Sequence, residues 1–587
     1  MKSGIYALAA LDGAPLDTGD LATLALENDI PSRHGFAARI FDGLERGASS
    51  TAPGPAPLFF LGHIDEPAVL AATLNLPADS TPATLALGAL HKWGPQGAMA
   101  HLPGEWSLLH WNSESRELLA GVSQHLRDRM FFACNGRSAA IAPHVLRLGQ
   151  LSWIGRTYDD LGLPLSVARL FLRDPFLQDR TILRGVTAVE PGTFKFFTPD
   201  GSVKTFSPPP APRPKIWEHD FDAAVSALEA TLRQIVREAL ARHGTVALFL
   251  SGGLDSSILA WIAAEERRPG QDLICLTSAA PPGSGIADER EQAALVARRF
   301  GLPLAFVVPA DDIDPYRLSR PTLAAADSPA SSGKDYLFDA LYNAATAGGA
   351  DAVLSGVLGE MTITRTETMF TPQAWVKDRL RTIRAAFAER RGREPWPDHG
   401  FFVRLSGDAL HHLPAEIRRH RRTWPPITLR HPGERLEYSP LHDIIKRFTT
   451  ATPSAGLRRL SPFRDPRLQA LAAGMPAHFV CHGGLRRAIA RAMMKDHVPD
   501  QIRLRKDKGA FSPPHLERLR RHAGGALDRL DAYRKSDAAD WIDLDWLEEG
   551  LGKIHRGDFE TIPDHTKIQV TAVAADILQQ WNSGLPR

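Results

Sequence analysis

The stretch VALFLSGGLDSSILAWIAA, residues 246–264, constrains the fold more than any other part of the chain. Val246 to Leu250 is a short, continuous apolar run, the pattern of a parallel strand buried on both faces. Ile258, Leu259 and Ile262 recur at helical spacing, so a helix follows, with Ser256 near its start. Between strand and helix lies a tight loop. Gly252 and Gly253 let backbone N–H groups turn toward one point without a Cβ clash. Those groups, the helix N-terminus and the hydroxyls of Ser251, Ser256 and Ser257 make an anion cradle. The loop is not of the G-x-x-x-x-G-K-[ST] type: it has no lysine and carries Asp255 instead. A carboxylate beside a phosphate cradle makes sense when Mg²⁺ sits between the two. An ordinary strand–turn–helix corner has no need of Gly-Gly, Asp and two Ser together.

The neighbouring sequence places this loop in a doubly wound α/β unit. TVALFLS, DLICLTS, PLAFVVP and ADAVLSG read as strands, with helices between them that include ADEREQAALVARRFG. Upstream, PLFFLGHI, EWSLLHW, ELLAGVS, MFFAC and GTFKFFTPDGSVKTF are short apolar or alternating runs separated by turn residues, the signature of a β-rich first domain. FSPPPAPRPKIW, residues 206–217, reads as an extended linker, because its prolines cannot sit in a central strand or a helix interior. The expected organisation is therefore a first domain over 1–206, a linker over 207–217 and a second domain over 218–587. From about residue 370 onward the pattern is mostly helical, with no strong strand signal.

Composition excludes some functions. With a net charge of +2 and a pI near 8.4, nothing drives the whole chain toward nucleic acid or a membrane surface. No run of about 18 apolar residues exists to span a bilayer. MKSGIYALAALDG reads as a first strand rather than a signal peptide, since Asp12 interrupts its apolar run. Cys134, Cys275 and Cys481 are scattered, form no C-x-x-C and suit a reducing cytoplasm. The basic run EIRRHRRTW, 416–424, is a solvated face or a groove for an acidic peptide or nucleic acid.

With these residues in view the chain resembles the asparagine synthetase B-like family. SGGLDSS looks like that family's pyrophosphate loop, a loop shared with tRNA-lysidine and GMP synthetases. ADEREQAALVARRFGLPL, ADAVLSGVLGEM, SPFRDPRLQALAAGMP and VPDQIRLRKDKGAFSPP resemble four further family segments: the helix after the second strand, the second metal carboxylate, the PF-x-D segment and the catalytic-lysine segment. LPGEWSLLHW and RTILRGVTAVEPGTFKFF resemble the amidotransferase-like domain that precedes the synthetase domain. The resemblance implies an N-terminal, β-rich amidotransferase-like sandwich followed by an α/β ATP-pyrophosphatase domain with a helical C-terminal part.

The departures narrow the reading. A glutamine-using member needs a cysteine nucleophile at residue 2, where this chain has Lys2, and no cysteine occurs before Cys134. Members with that loss resemble β-lactam synthetases and lasso-peptide cyclases, which join a carboxylate and an amine of one substrate. GGLRRAIARAMMKDHVPDQIRLRKDKGAF and SGVLGEM look more like the cyclases. Where asparagine synthetases carry SGEG-x-DE, this chain has Ser355, Gly356, Val357, Leu358, Gly359, Glu360 and Met361. The glutamate that helps deprotonate the amine is thus Val357, the tyrosine of β-lactam synthetases is missing as well, and the metal-binding Asp is Glu360. A peptide α-amino group titrates near 7.7–8.0, so supplying it uncharged at about pH 7.5 costs under ~1 kcal/mol. Such an amine needs a base less than ammonia does. Glu367 is the remaining carboxylate in TRTETMF.

The resemblance then implies the following site. ATP lies against Leu248, Leu250, Ser251, Gly252, Gly253, Asp255, Ser256, Ser257, Thr277 and Gly356. Mg²⁺ sits between Asp255 and Glu360. Lys508, or Lys506 two residues earlier, neutralises charge on the phosphate and on the tetrahedral oxyanion, with Arg505 as helper. The expected substrate is a leaderless precursor (core) peptide. Its Asp or Glu side chain is adenylated and closed onto its N-terminal amine, and a leader peptidase and a leader-binding protein act in the same pathway. The Gly-, Pro- and Arg-rich stretch at about 390–435 would cover a folded peptide. Other readings are an asparagine synthetase using ammonia, a β-lactam-type synthetase and a non-catalytic peptide-binding scaffold. The scaffold would not need Asp255, Glu360 and Lys508.

Overall fold

A computed structural model describes residues 4–26, 35–41, 48–51, 55–124, 129–167, 179–207, 220–364, 403–411, 457–473, 475, 479, 482–483, 485–506, 515–562 and 564–584. The runs read as strands in the first half are strands. β1 (Gly4–Ala10), β2 (Phe36–Phe41), β3 (Ala48–Ser50), β4 (Leu58–Ile64), β5 (Gly104–Asn112), β6 (Glu117–Val122), β7 (Phe131–Cys134), β8 (Ser138–Ala142), β9 (Thr187–Ala188), β10 (Thr193–Phe197) and β11 (Val203–Phe206) form two antiparallel sheets. Their orders are β2-β1-β8-β7-β9 and β11-β10-β6-β5-β4-β3.

Strand alternation explains how the sheets stack. Ile5, Ala7 and Ala9 of β1 meet Leu109, Trp111, Ala120 and Val122 of the other sheet in an inter-sheet core. Tyr6 and Leu8 point to the opposite face, which is why every residue of β1 is buried. The outer face of the six-stranded sheet is covered by the helices Pro67–Leu74 and Pro82–His101. The outer face of the five-stranded sheet shares a core with Leu519, Leu547, Ile577 and Trp581, far along the chain. The result is a four-layer arrangement whose last layer is partly supplied by C-terminal helices.

The second half carries a parallel sheet. β12 (Thr245–Phe249), β13 (Asp272–Ser278), β14 (Leu304–Val307), β15 (Ala352–Leu354) and β16 (Arg458–Leu460) lie in the order β14-β13-β12-β15-β16. Leu248 aligns with Cys275 on one side and Leu354 on the other. The strand β16 lies in the stretch beyond about residue 370 that carries no strong strand signal in the sequence. Its sequence, Arg-Arg-Leu, has no apolar run; it is a strand because it pairs with β15 at the edge of the sheet. The helices Phe221–Ala241, Leu254–Glu266 and Arg290–Arg299 bury one face of this sheet and Asp335–Ala347 the other. Among the described residues no helix is long and apolar enough to cross a membrane.

Candidate active site

The chain leaves β12 between two neighbours reached in opposite directions, β13 and β15. In open α/β sheets, ligands bind at such a switch point, outside the carboxyl ends of the strands. Two loops emerge there: 250–253 after β12 and 355–364 after β15.

In the first loop Gly252 has φ +68°, and a Cβ on it would sit 2.4 Å from the Cβ of Gln292. Only glycine lets the loop lie this close to the helix Arg290–Arg299. Gly253 is the N-cap of the helix Leu254–Glu266 and offers no capping side chain. The first-turn N–H groups of Leu254, Asp255 and Ser256 therefore have no intrahelical acceptor and open toward the sheet end. The hydroxyls of Ser251 and Ser256 lie 3.2 Å apart and brace the turn: Ser256 Oγ accepts from the Ser251 N–H at 3.2 Å, and Ser251 Oγ accepts from the Gly253 N–H at 3.3 Å. Ser257 is 0 % exposed, and its Oγ has no hydrogen-bond partner among the described residues.

The second loop closes on Asp255. A Cβ on Gly359 would be 1.8 Å from Asp255 Oδ1, and one on Gly356 would be 3.1 Å from the Asp255 Cβ. The Thr364 hydroxyl donates to Asp255 Oδ1 at 2.5 Å. Thr364 is itself tied back by its N–H to the Gly359 carbonyl at 3.0 Å. Leu358 adopts φ +74°, a left-handed conformation that a side chain disfavours. Glu360, next to Gly359, is exposed, and so is Val357, at 43 %.

A third segment approaches from the C-terminal part. Arg505 pairs with the buried Glu289, 3.4 Å away, at the start of the helix Arg290–Arg299. The buried Arg491 donates to the carbonyls of Arg503 and Arg505, the latter at 2.9 Å, and so fixes the backbone that leads to Lys506. Lys508, Glu367, Lys2 and the stretch at 416–424 lie outside the described residues.

Leu248, Leu250 and Thr277 lie at the strand ends where the sequence places the nucleotide. Leu248 and Leu250 are 0 % and 1 % exposed and belong to the sheet core; Thr277, in β13, is buried as well. A nucleotide base at this sheet end would meet their backbone, not their side chains. Sequence reasoning missed Thr364, Glu289 and Arg491. The only signal for Arg491 was a buried arginine within a helical apolar pattern, and Thr364 carried no local signal at all.

These residues fit ATP with Mg²⁺. The glycine turn and the open helix N–H groups suit a polyphosphate, and the first-turn carboxylate of Asp255 lies against the loop that carries Glu360. No group of three or more His, Cys, Asp or Glu able to hold a metal occurs among the described residues. Mg²⁺ takes one or two carboxylates and fills its remaining positions with water and phosphate oxygens; Asp255 and Glu360 are the carboxylates that would hold it.

A family model described as asparagine synthase matches residues 227–561. No curated protein matches the chain. Among solved structures, glutamine phosphoribosylpyrophosphate amidotransferase from B. subtilis aligns at 12 % identity and a TM-score of 0.22, over 52 % of this chain and 59 % of that one. The chain thus spans less than two thirds of that enzyme. The U34-tRNA thiolase NcsA from Methanococcus maripaludis aligns at 12 % identity and a TM-score of 0.20, over 48 % of this chain and 76 % of that one.

Proposed function

The chain belongs to the asparagine synthase family, and from that premise, which supports an ATP-dependent synthetase forming a C–N amide bond, we propose that it is a peptide macrolactam synthetase of the lasso-cyclase kind. Its substrate is a peptide with a free N-terminus and an internal Asp or Glu. One observation carries the choice of amine. Val357 stands exposed at the mouth of the site, at the position of the family's amine-deprotonating glutamate, and offers no proton acceptor. An amine that is partly uncharged near neutrality suits such a site; ammonia does not. Lys2, in place of the nucleophilic cysteine, removes glutamine as a source of ammonia.

The first-turn N–H groups of Leu254 to Ser256 hold the β- and γ-phosphates of ATP. Asp255 and Glu360 would hold Mg²⁺, which supplies neutralisation of the pyrophosphate charge. A substrate carboxylate oxygen attacks the α-phosphorus, the bond from phosphorus to the bridging oxygen breaks, and pyrophosphate leaves. The peptide amine then attacks the acyl carbon, its excess proton goes to solvent, and AMP departs with the electron pair of the C–O bond. Lys508, or Lys506, stabilises the negative oxygen of that tetrahedral stage. Arg491 and Glu289 keep the segment ahead of these lysines in place. Holding both ends of one peptide supplies the proximity that the reaction needs.

The test is a linear precursor peptide incubated with the protein, ATP and Mg²⁺. The expected product is lighter by one water, with AMP formed in equal amount. Acetylation of the N-terminus, or Asn or Gln at the acceptor position, abolishes turnover, and glutamine alone releases no glutamate above background. Asparagine formed from aspartate and ammonia at a comparable rate would replace this reading with the plain synthetase.

A further inference from the structure

The segment 326–334 leads into the helix Asp335–Ala347. A helix that joins parallel strands runs against their direction, so its start lies at their carboxyl ends, the end that carries the phosphate loop. Phe338, in the first turn, fits that placement: its ring lies 6.4 Å from the ring of Phe249, the last residue of β12. The segment is braced by its own hydroxyls. Ser328, Ser331 and Ser332 accept from the N–H groups of Ala330, Gly333 and Lys334 at 3.3, 2.9 and 3.0 Å. Serine turns of this kind are weak by themselves. The loop therefore keeps its shape only while it is tied to other parts of the chain.

One tie comes from the C-terminal helix, where Gln569 donates to the Gly333 carbonyl at 2.8 Å. The other comes from the first domain and ends on Asp327. Arg129, just before β7, pairs with Asp327 at 3.6 Å, and the Val145 N–H, just after β8, donates to the same carboxylate at 3.3 Å. The two charged side chains are only 19 % and 4 % exposed, and the Arg129 guanidinium rests 4.7 Å from the centre of the Phe131 ring. A pair this deep is little screened by salt. Removing one partner strands a buried charge, whereas removing both leaves a neutral contact.

What the loop carries is Lys334. Its ammonium has no acidic partner among the described residues, and burial pulls its pKa down to about 8. Burial first, and then the charge of Lys334, depress the protonation of His515, the first described residue after the lysine segment. Lys334 is thus a neighbour of the foot of that segment.

We infer that Arg129 and Asp327 are positioning residues: through this pair the first domain sets the loop 326–334, and Lys334 with it, at the carboxyl end of the sheet where the substrate peptide is seated. The inference rests on the amide-forming reading for what the loop serves, and on geometry alone for how the loop is held.

The experiment combines Arg129→Met with Asp327→Asn in the full chain, so that no charge is stranded and an acceptor for the Val145 N–H remains. Amide hydrogen exchange is followed without nucleotide, and product formation is followed with a linear precursor peptide, ATP and Mg²⁺. In the double variant the amides of Gly333 and Lys334 exchange at least about tenfold faster, while those of the helix Leu254–Glu266 are unchanged. KM for the peptide rises at least about fivefold and KM for ATP does not move. Arg129→Lys, which keeps the charge, stays near wild type in both readouts. Unchanged exchange at Gly333 and Lys334 in the double variant overturns the inference. So does a loss shared equally by peptide and ATP, the mark of a merely structural pair. A wild type that forms no product from the peptide overturns the macrolactam reading instead, and exchange then decides on the pair by itself.

Discussion

The hydroxyl of Thr364 donates a 2.5 Å hydrogen bond to Oδ1 of Asp255, joining the loop after β15 to the first turn of the helix after β12. This bond fixes the rotation of the carboxylate that is assigned to Mg²⁺. Partners behind a metal ligand are typically worth 10–100-fold in metal affinity. Thr364→Val is expected to raise the Mg²⁺ concentration for half-maximal pyrophosphate release by about tenfold, and Thr364→Ser to restore it. Asp255→Ala and Glu360→Ala remove Mg²⁺-dependent AMP formation, whereas Glu360→Asp keeps part of it. Unchanged Mg²⁺ dependence in Thr364→Val would detach Asp255 from the metal.

Gly359 has no room for a side chain, because its Cβ would lie 1.8 Å from Asp255 Oδ1. Gly359→Ala is expected to push the two loops apart, costing about 1–3 kcal/mol of stability, the range for overpacking. Activity should fall much further than stability does. Urea unfolding alongside AMP release separates the two effects; a variant with full activity would show that the loops need not touch.

Arg491 acts through backbone carbonyls. Arg491→Lys cannot reach the carbonyls of Arg503 and Arg505 together, so the segment carrying Lys506 and Lys508 is released. The expected result is product formation reduced at least about tenfold in kcat with ATP affinity unchanged, as for a group needed only in the transition state. Equal losses in ATP binding and in turnover would mark Arg491 as a general stability residue.

His515 receives the Tyr336 phenol at Nδ1, 3.1 Å away, and burial, then Lys334, His565 and Arg518, push its pKa down to about 3. The folded value is below the ordinary 6.5, so the unfolded chain binds this proton more readily. The contribution of His515 to stability is full above about pH 6.5 and is lost progressively as pH falls toward 3. Between pH 7 and 4.5, Tm should fall less steeply in His515→Gln than in wild type. Parallel curves would mean that the imidazole takes up a proton in the folded state.

The parallel sheet was readable because its central strands are continuous apolar runs, and the phosphate loop because Gly252, Gly253 and Asp255 are unusual together. Leu358 shows where reading by residue type stops. It holds a positive φ that its side chain disfavours, and its burial in the core accompanies that conformation. Thr364 and Asp255 are 109 positions apart, so only the fold brings them together. The strand Arg458–Leu460 has no periodicity of its own and depends on β15 for its identity. The long helix Pro82–His101 was not singled out either, since its turn-like Gly94 and Pro95 interrupt the pattern.

The core shared between the first sheet and the C-terminal helices has a consequence for how the molecule is inherited and handled. Tyr6 and Leu8 lie in the same apolar cluster as Leu519, Ile577 and Trp581, and Arg156 donates to the Trp581 carbonyl. Tyr158 meets Trp541 edge-on at 6.2 Å. The first sheet is therefore not dispensable to the helices that pack on it. Deleting it would strip one wall from the helical layer that follows the lysine segment. The two halves should melt in a single cooperative transition, and a fragment cut within the proline-rich sequence 206–217, most of which lies outside the described residues, should fail to fold, even though the residues proposed for amide formation all lie on one side of that cut.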